Sequence, residues 1–132
     1  MAKFIATTQI VEAGNDVIFG GNNACCKIRH RDNTGIFTLR GSGNCCQPAV
    51  YRVDAHVVTT ATAAVPITLV LVEDGEVIPD SEIALVPAAV GNVLSGQTST
   101  EIVVDCDCAK VALRGLTAVP LTIANLIITR ID

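Results

Sequence analysis

The sequence has 132 residues, half of them apolar and only four aromatic, so any core must be built mainly from aliphatic side chains. A chain of this length can bury about two thirds of its unfolded surface, and we expect a single domain spanning residues 1–132. Val, Ile and Thr account for 43 residues, and these β-branched side chains favour strands over helices. The net charge of −4, with no long basic run, argues against nucleic acid as a partner.

The sequence gives no sign of a membrane or secretory segment. The first eleven residues lack the basic start and compact apolar stretch of a secretory leader, so we expect no signal peptide. The longest uncharged stretch, residues 55–72, contains His56, several threonines and Pro66. Such a stretch is unsuited to a membrane-spanning helix, and we expect no membrane insertion.

Short apolar segments alternate with turn residues along the whole chain, as is typical of an all-β sandwich or barrel. Gly91, Gly96, Gly115 and Pro120 are interpreted as boundaries between the later strands, and residues 87–89 as a possible helical turn. We expect about ten strands from eleven candidate segments, which are residues 4–11, 17–20, 26–31, 36–40, 50–59, 67–72, 77–86, 90–94, 101–105, 111–114 and 121–131.

Two hairpins can be placed from their turn residues. The segment Asp-Asn-Thr-Gly at residues 32–35 tolerates positive φ, and it predicts a hairpin in which Ile28 faces Leu39 and His30 faces Phe37. The Asp-Gly pair at residues 74–75 predicts a second, tight hairpin, because both residues can adopt the primed turn conformation.

The last predicted strand is apolar on both of its faces. Large aliphatic residues occupy odd and even positions alike, namely Leu121, Ile123, Leu126, Ile127, Ile128 and Ile131. In a two-layer sandwich only one face of each sheet is covered within the subunit, so the second apolar face predicts contact with another chain.

The order of these segments resembles the jelly roll of the C1q and tumour-necrosis-factor family. The resemblance rests on residues 34–39, 48–57 and 67–76 and on residues 126–128, which follow the order and spacing of that family's successive strand motifs. The composition and residues 87–91 (PAAVG) are also similar to small C1q-like proteins of phages and prophages and to the carboxy-terminal domains of collagen-like spore-surface glycoproteins. Unlike the latter, this chain contains no Gly-X-Y stalk.

The resemblance implies a ten-stranded C1q/TNF-like jelly-roll sandwich that forms a homotrimer, with the first and last strands lining the three-fold axis. Arg52, Asp54 and His56 occupy every second position of one predicted strand, so they share the face opposite its apolar core positions. In such a trimer this face would also be directed to the axis. The expected interface residues are Phe4, Arg52, Asp54, His56, Ile123, Asn125 and Ile127.

The resemblance further implies a non-enzymatic structural protein. We expect a virion surface component assembled in a bacterial host cytoplasm, as a capsid decoration or a fibre head, with capsid or other virion proteins as neighbours. Two alternatives remain open, which are a recognition module that binds a host surface glycan or receptor and a bacterial spore or cell-surface protein.

Six cysteines are the residues most suggestive of a metal site or of disulfides: Cys25, Cys26, Cys45, Cys46, Cys106 and Cys108. Adjacent residues of a strand point to opposite faces, and the sequence has no C-x-x-C motif, so we expect no zinc site. The predicted hairpin brings the segment of Cys25 and Cys26 near that of Cys45 and Cys46, where disulfides could form. Free thiols packed in the sheet are the equal alternative.

No catalytic constellation is predicted. His30 and His56 lie on different predicted strands, and no Ser or Cys is spaced to act as their nucleophile. The acidic residues around the second hairpin lack the loop spacing that would make six or more oxygens converge on calcium. We therefore expect no enzyme activity and no cofactor.

Overall fold

The structure, a computed structural model, describes residues 2–21, 28–41, 47–105 and 108–131. Within these ranges the chain forms strands only, and no helix that could cross a membrane is found there. The expected all-β class is confirmed, with eleven strands in place of about ten. The strands are β1 (Ala2–Ala6), β2 (Gln9–Val11), β3 (Ile28–His30), β4 (Phe37–Arg40), β5 (Ala49–Thr60), β6 (Ile67–Glu73), β7 (Glu76–Val77), β8 (Ile83–Leu85), β9 (Val93–Val104), β10 (Cys108–Gly115) and β11 (Val119–Arg130).

The strands form two antiparallel sheets that pack face to face. The first sheet has the order β1-β11-β5-β9, with β2 also paired to β11. The second has the order β3-β4-β10-β6-β7, with β8 also paired to β6. Strands that are neighbours in a sheet are mostly distant in sequence, so the chain crosses repeatedly between the sheets, as in a jelly roll.

The core lies between the two sheets and is mainly aliphatic, as the composition indicates. Tyr51 is the only tyrosine, and its buried hydroxyl donates a hydrogen bond of 2.6 Å to the carbonyl oxygen of Arg40. This bond joins β5 of the first sheet to β4 of the second. Burial raises the pKa of the Tyr51 hydroxyl, against an opposing effect of the nearby Arg130.

Phe4 belongs to this core, and the expectation that it lines an outer interface is wrong. Its side chain is only 4% exposed, and its ring centroid lies 4.6 Å from that of Phe37 and 4.8 Å from that of His30. The reason is the register of β1 on β11, in which Phe4 pairs with the buried Leu126. Alternation along β1 then directs the neighbouring Lys3 and Ile5 outward.

Both predicted hairpins are confirmed, the first with its predicted register. In the first hairpin, Ile28 pairs with Leu39 and His30 with Phe37. In the second, Glu73 pairs with Glu76, and the turn residues Asp74 and Gly75 have φ of 51° and 87°. Positive φ at both central positions is the primed geometry that the Asp-Gly pair favours.

The predicted boundary at Gly96 is wrong, because β9 runs without interruption from Val93 to Val104. A Cβ atom at Gly96 would lie 2.5 Å from Cγ2 of Ile83 and 3.2 Å from Cδ2 of Leu85. The glycine therefore allows β8 to pack closely on β9, and it does not mark a turn.

The predicted strand at residues 77–86 is interrupted between β7 and β8. Asp80 has a φ of 62°, and the next residue, Ser81, is fully buried. The Ser81 hydroxyl accepts a hydrogen bond of 3.1 Å from the backbone N–H of Leu71 and donates one of 2.7 Å to the carbonyl oxygen of Ile78. This side chain therefore takes the place of a strand partner for the backbone of β6, which explains why the break is tolerated.

Candidate functional site: the outer face of the first sheet

The side of the first sheet that points away from the core is called the outer face here, and β5 runs through its centre. Along β5, buried residues alternate with outward ones, among them Arg52, Asp54 and His56. The neighbouring strands place further outward residues in rows beside them. These rows are Asn125-His56-Gln97, Ile127-Asp54-Ser99 and Thr129-Arg52-Glu101, read from β11 to β5 to β9.

The strand β1 adds two residues to one side of this face. Ile5 pairs with Asn125, and Lys3 pairs with Ile127. Two of the three outward rows therefore extend from the β1 edge of the sheet to the β9 edge.

Aliphatic side chains give the outer face its apolar character. Ile5 is 47% exposed and Ile123 is 39% exposed, while Ile127, one row beyond Ile5, is half-buried. Ile123 reaches the surface because the pairing of β11 with β5 shifts by one residue between Leu121 and Ile123. A bulge of this kind turns the following side chain to the other face of the sheet.

The centre of the outer face is polar. The Arg52 Nε atom donates to Asp54 at 3.2 Å and to the Ser99 hydroxyl at 3.3 Å. These residues line a shallow depression of about 550 Å³, together with His56, Gln97, Asn125 and Ile127. The ion pair is solvent-exposed in the single subunit, so its own contribution to folding is within about 1 kcal/mol.

Six of the seven expected interface residues therefore lie together on the outer face: Arg52, Asp54, His56, Ile123, Asn125 and Ile127. Phe4 does not. Six residues of the face were missed at the sequence level, namely Lys3, Ile5, Gln97, Ser99, Glu101 and Thr129. The alternation of Gln97, Ser99 and Glu101 at every second position could have revealed the β9 residues, had residues 95–101 been read as one strand.

The cysteine predictions fall mostly outside the described residues. Cys25, Cys26, Cys45, Cys46 and Cys106 all lie there, so the proposed disulfides remain a prediction. Cys108 at the start of β10 is exposed, and it is a free thiol. Within the described ranges, no group of three or more His, Cys, Asp or Glu side chains is arranged to hold a metal ion.

A second, smaller depression of about 390 Å³ lies on the other sheet. Its floor includes Val72 and Ala112, and its rim carries Ile36 and Lys110. The rim also contains an ion pair in which Arg114 Nε lies 3.1 Å from the carboxylate of Asp16. Both side chains are partly buried, so this pair is more firmly held than the one on the outer face.

Comparison with known proteins gives matches among solved structures only, since no family model and no curated protein matches the sequence. The globular domain of zebrafish complement 1qA protein is similar, with a TM-score of 0.67 and 15% identity over 100% of this chain and 98% of that one. The Eiger TNF of S. frugiperda is similar with a TM-score of 0.60 and 11% identity, over 94% of this chain and 89% of that one.

A third similar structure is the vertex protein P5 of PRD1, with a TM-score of 0.55 and 14% identity over 98% of this chain and 95% of that one. All three likenesses extend over nearly the whole chain at low sequence identity. They therefore report on architecture alone. The chain has the C1q/TNF-like jelly-roll fold.

Proposed function

We propose that this protein is a non-enzymatic structural protein that forms a homotrimer through the outer face of its first sheet. The observation that carries the proposal is the apolar second face of β11 and β1. The large aliphatic side chains of Ile5, Ile123 and Ile127 lie on the side of the sheet that the sandwich leaves uncovered. Large aliphatic side chains grouped on an uncovered sheet face are a common mark of a protein interface.

The polar centre of the outer face is compatible with an interface role. The Arg52–Asp54 pair is already formed within the subunit, so both charges would enter an interface with a partner in place. Polar residues at such positions set the register between chains, whereas aliphatic residues supply the buried area.

Measuring the mass of the native protein tests this proposal. We expect light scattering and native mass spectrometry at micromolar concentration to give three times the 13.7 kDa subunit mass. A protein that remains a monomer under these conditions contradicts the proposal.

We further propose that the trimer is a virion surface component, either a capsid decoration or a fibre head, with other capsid proteins as neighbours. The similarity to a vertex protein supports this role, as does the resemblance to phage-encoded C1q-like proteins. A spore or cell-surface location is the alternative. Capsid and tail genes beside the coding sequence would support the virion, and sporulation genes would support the alternative.

A second candidate function is recognition of a surface glycan or receptor. It is favoured by the depression on the second sheet, where Lys110 and Arg114 stand beside an apolar floor. Glycan-array binding by the wild-type protein, abolished by Lys110→Ala, would support this function. An array on which wild-type protein and Lys110→Ala give the same background signal would exclude glycan binding at this depression.

A further inference from the structure

Two opposite charges stand at opposite edges of the outer face. Lys3 lies on the edge strand β1, and Glu101 lies on the edge strand β9. Among the described residues, neither side chain has an ion-pair partner within 4.0 Å, whereas the central Arg52 and Asp54 pair with each other. Arg52 lies across the ladder from Glu101, but its Nε is directed to Asp54 and Ser99.

Lys3 and Glu101 cannot meet within one subunit. The strand order β1-β11-β5-β9 separates their strands by three spacings, which is about 14 Å between backbones. They also stand in adjacent rows, because Lys3 is level with Ser99, two residues from Glu101 along β9. Over such a distance at a solvated surface, water and salt screen most of their attraction.

We propose that Lys3 of one subunit forms an ion pair with Glu101 of the neighbouring subunit in the trimer. This inference rests on the proposed function, since it requires self-association through the outer face. Contact between the β1 edge of one face and the β9 edge of the next brings the unlike charges together. Contact between like edges would place Lys3 against Lys3, or Glu101 against Glu101, and is disfavoured.

The pairing of unlike edges also accounts for closure of the ring. Each subunit offers one β1 edge and one β9 edge, so every contact is heterologous, or head-to-tail. Three identical contacts can then close about an axis with no edge left over. The charges at the edges thus specify the orientation of neighbours, while the aliphatic residues of the face are buried towards the axis.

Zero-length cross-linking with a carbodiimide tests the contact directly. The reagent joins a lysine amine to a carboxylate only where the two groups touch, so an amide between Lys3 and Glu101 must connect different subunits. We expect peptide mass spectrometry of the covalent dimer and trimer bands to identify this amide. Lys3→Arg should keep the trimer and lose the cross-link, and the matched control Lys110→Arg should keep both.

Charge reversal tests the energetic role of the same pair. At low salt, we expect Lys3→Glu and Glu101→Lys each to raise the protein concentration at which half of the trimer is dissociated by about tenfold. The double variant, in which the two charges are exchanged, should return this concentration most of the way to the wild-type value. The differences should shrink in 0.5 M salt, where the Debye length is only a few ångströms. In Glu101→Lys the substituted residue stands across the ladder from Arg52, which has the same charge. Urea unfolding of the monomers measures separately how this repulsion changes the free energy of unfolding.

The outcomes separate the two proposals. A wild-type protein that is monomeric at micromolar concentration overturns the proposed function, and the ion pair with it. A stable trimer in which the Lys3–Glu101 amide is absent and the two reversals are merely additive overturns the ion pair and leaves the trimer intact.

Discussion

Replacing Ile127 or Ile128 with Asp separates assembly from folding, because adjacent residues of β11 point to opposite sides of the sheet. Ile128 is fully buried in the core, whereas Ile127 lies on the outer face between Lys3 and Asp54. We expect Ile127→Asp to give a folded monomer and Ile128→Asp to prevent folding.

The expected magnitudes follow from these environments. In the monomer, Asp at position 127 would stand across from Asp54 and beside Lys3, a change of at most about 1 kcal/mol. In the trimer, desolvation of the same carboxylate costs about 3 kcal/mol per subunit, or about 9 kcal/mol in total. This cost raises the dissociation constant of the trimer by roughly six orders of magnitude. At Ile128, the lost burial of about 3 kcal/mol and the buried carboxylate together approach the stability of a typical domain.

Size-exclusion chromatography with light scattering reports assembly, and far-UV circular dichroism reports folding. Ile36→Asp is the matched control, because Ile36 is an exposed isoleucine directly before β4 of the opposite sheet. Glu76→Lys, at the hairpin of that sheet, should likewise remain trimeric. If Ile127→Asp assembles with the same midpoint as the wild type, the outer face is not the interface and the reasoning fails.

Further expectations concern single residues away from the outer face. Tyr51→Phe should lower the free energy of unfolding by about 1 kcal/mol, because the hydrogen bond of Tyr51 to β4 is lost. Because burial raises the pKa of the Tyr51 hydroxyl in the folded protein, the wild type should lose stability relative to this variant above about pH 10. Burial, then two acidic neighbours, raises the pKa of Glu73, so Glu73→Gln should be more stable than wild type in urea at pH 7 and equally stable near pH 3. Ser81→Ala should cost about 1–3 kcal/mol in the same assay, because it leaves a buried N–H of β6 without its acceptor, and an unchanged midpoint would contradict that role. Non-reducing peptide mapping should find any disulfide between residues 25–26 and residues 45–46, and stoichiometric zinc in the purified protein would contradict both the disulfide and the free-thiol interpretations.

Local chemistry in the sequence was sufficient for the fold class and for both hairpins. The abundance of β-branched residues, the positive-φ tolerance of the turn at residues 32–35 and the Asp74–Gly75 pair each act over a few residues. The opposite directions of Ile127 and Ile128 are local in the same sense, because side-chain direction alternates along a regular strand, whereas those of Leu121 and Ile123 depend on the bulge in the pairing with β5.

Only the tertiary structure decided the features that depend on distant segments. Gly96 is indistinguishable from a turn glycine in the sequence, because its reason is the approach of β8. Phe4 and Ile5 are equally apolar, and the pairing of β1 with β11 selects which of them enters the core. The opposed edge positions of Lys3 and Glu101, almost a hundred residues apart, likewise arise from strand order, because long-range pairing is set by the packing of the two sheets as a whole.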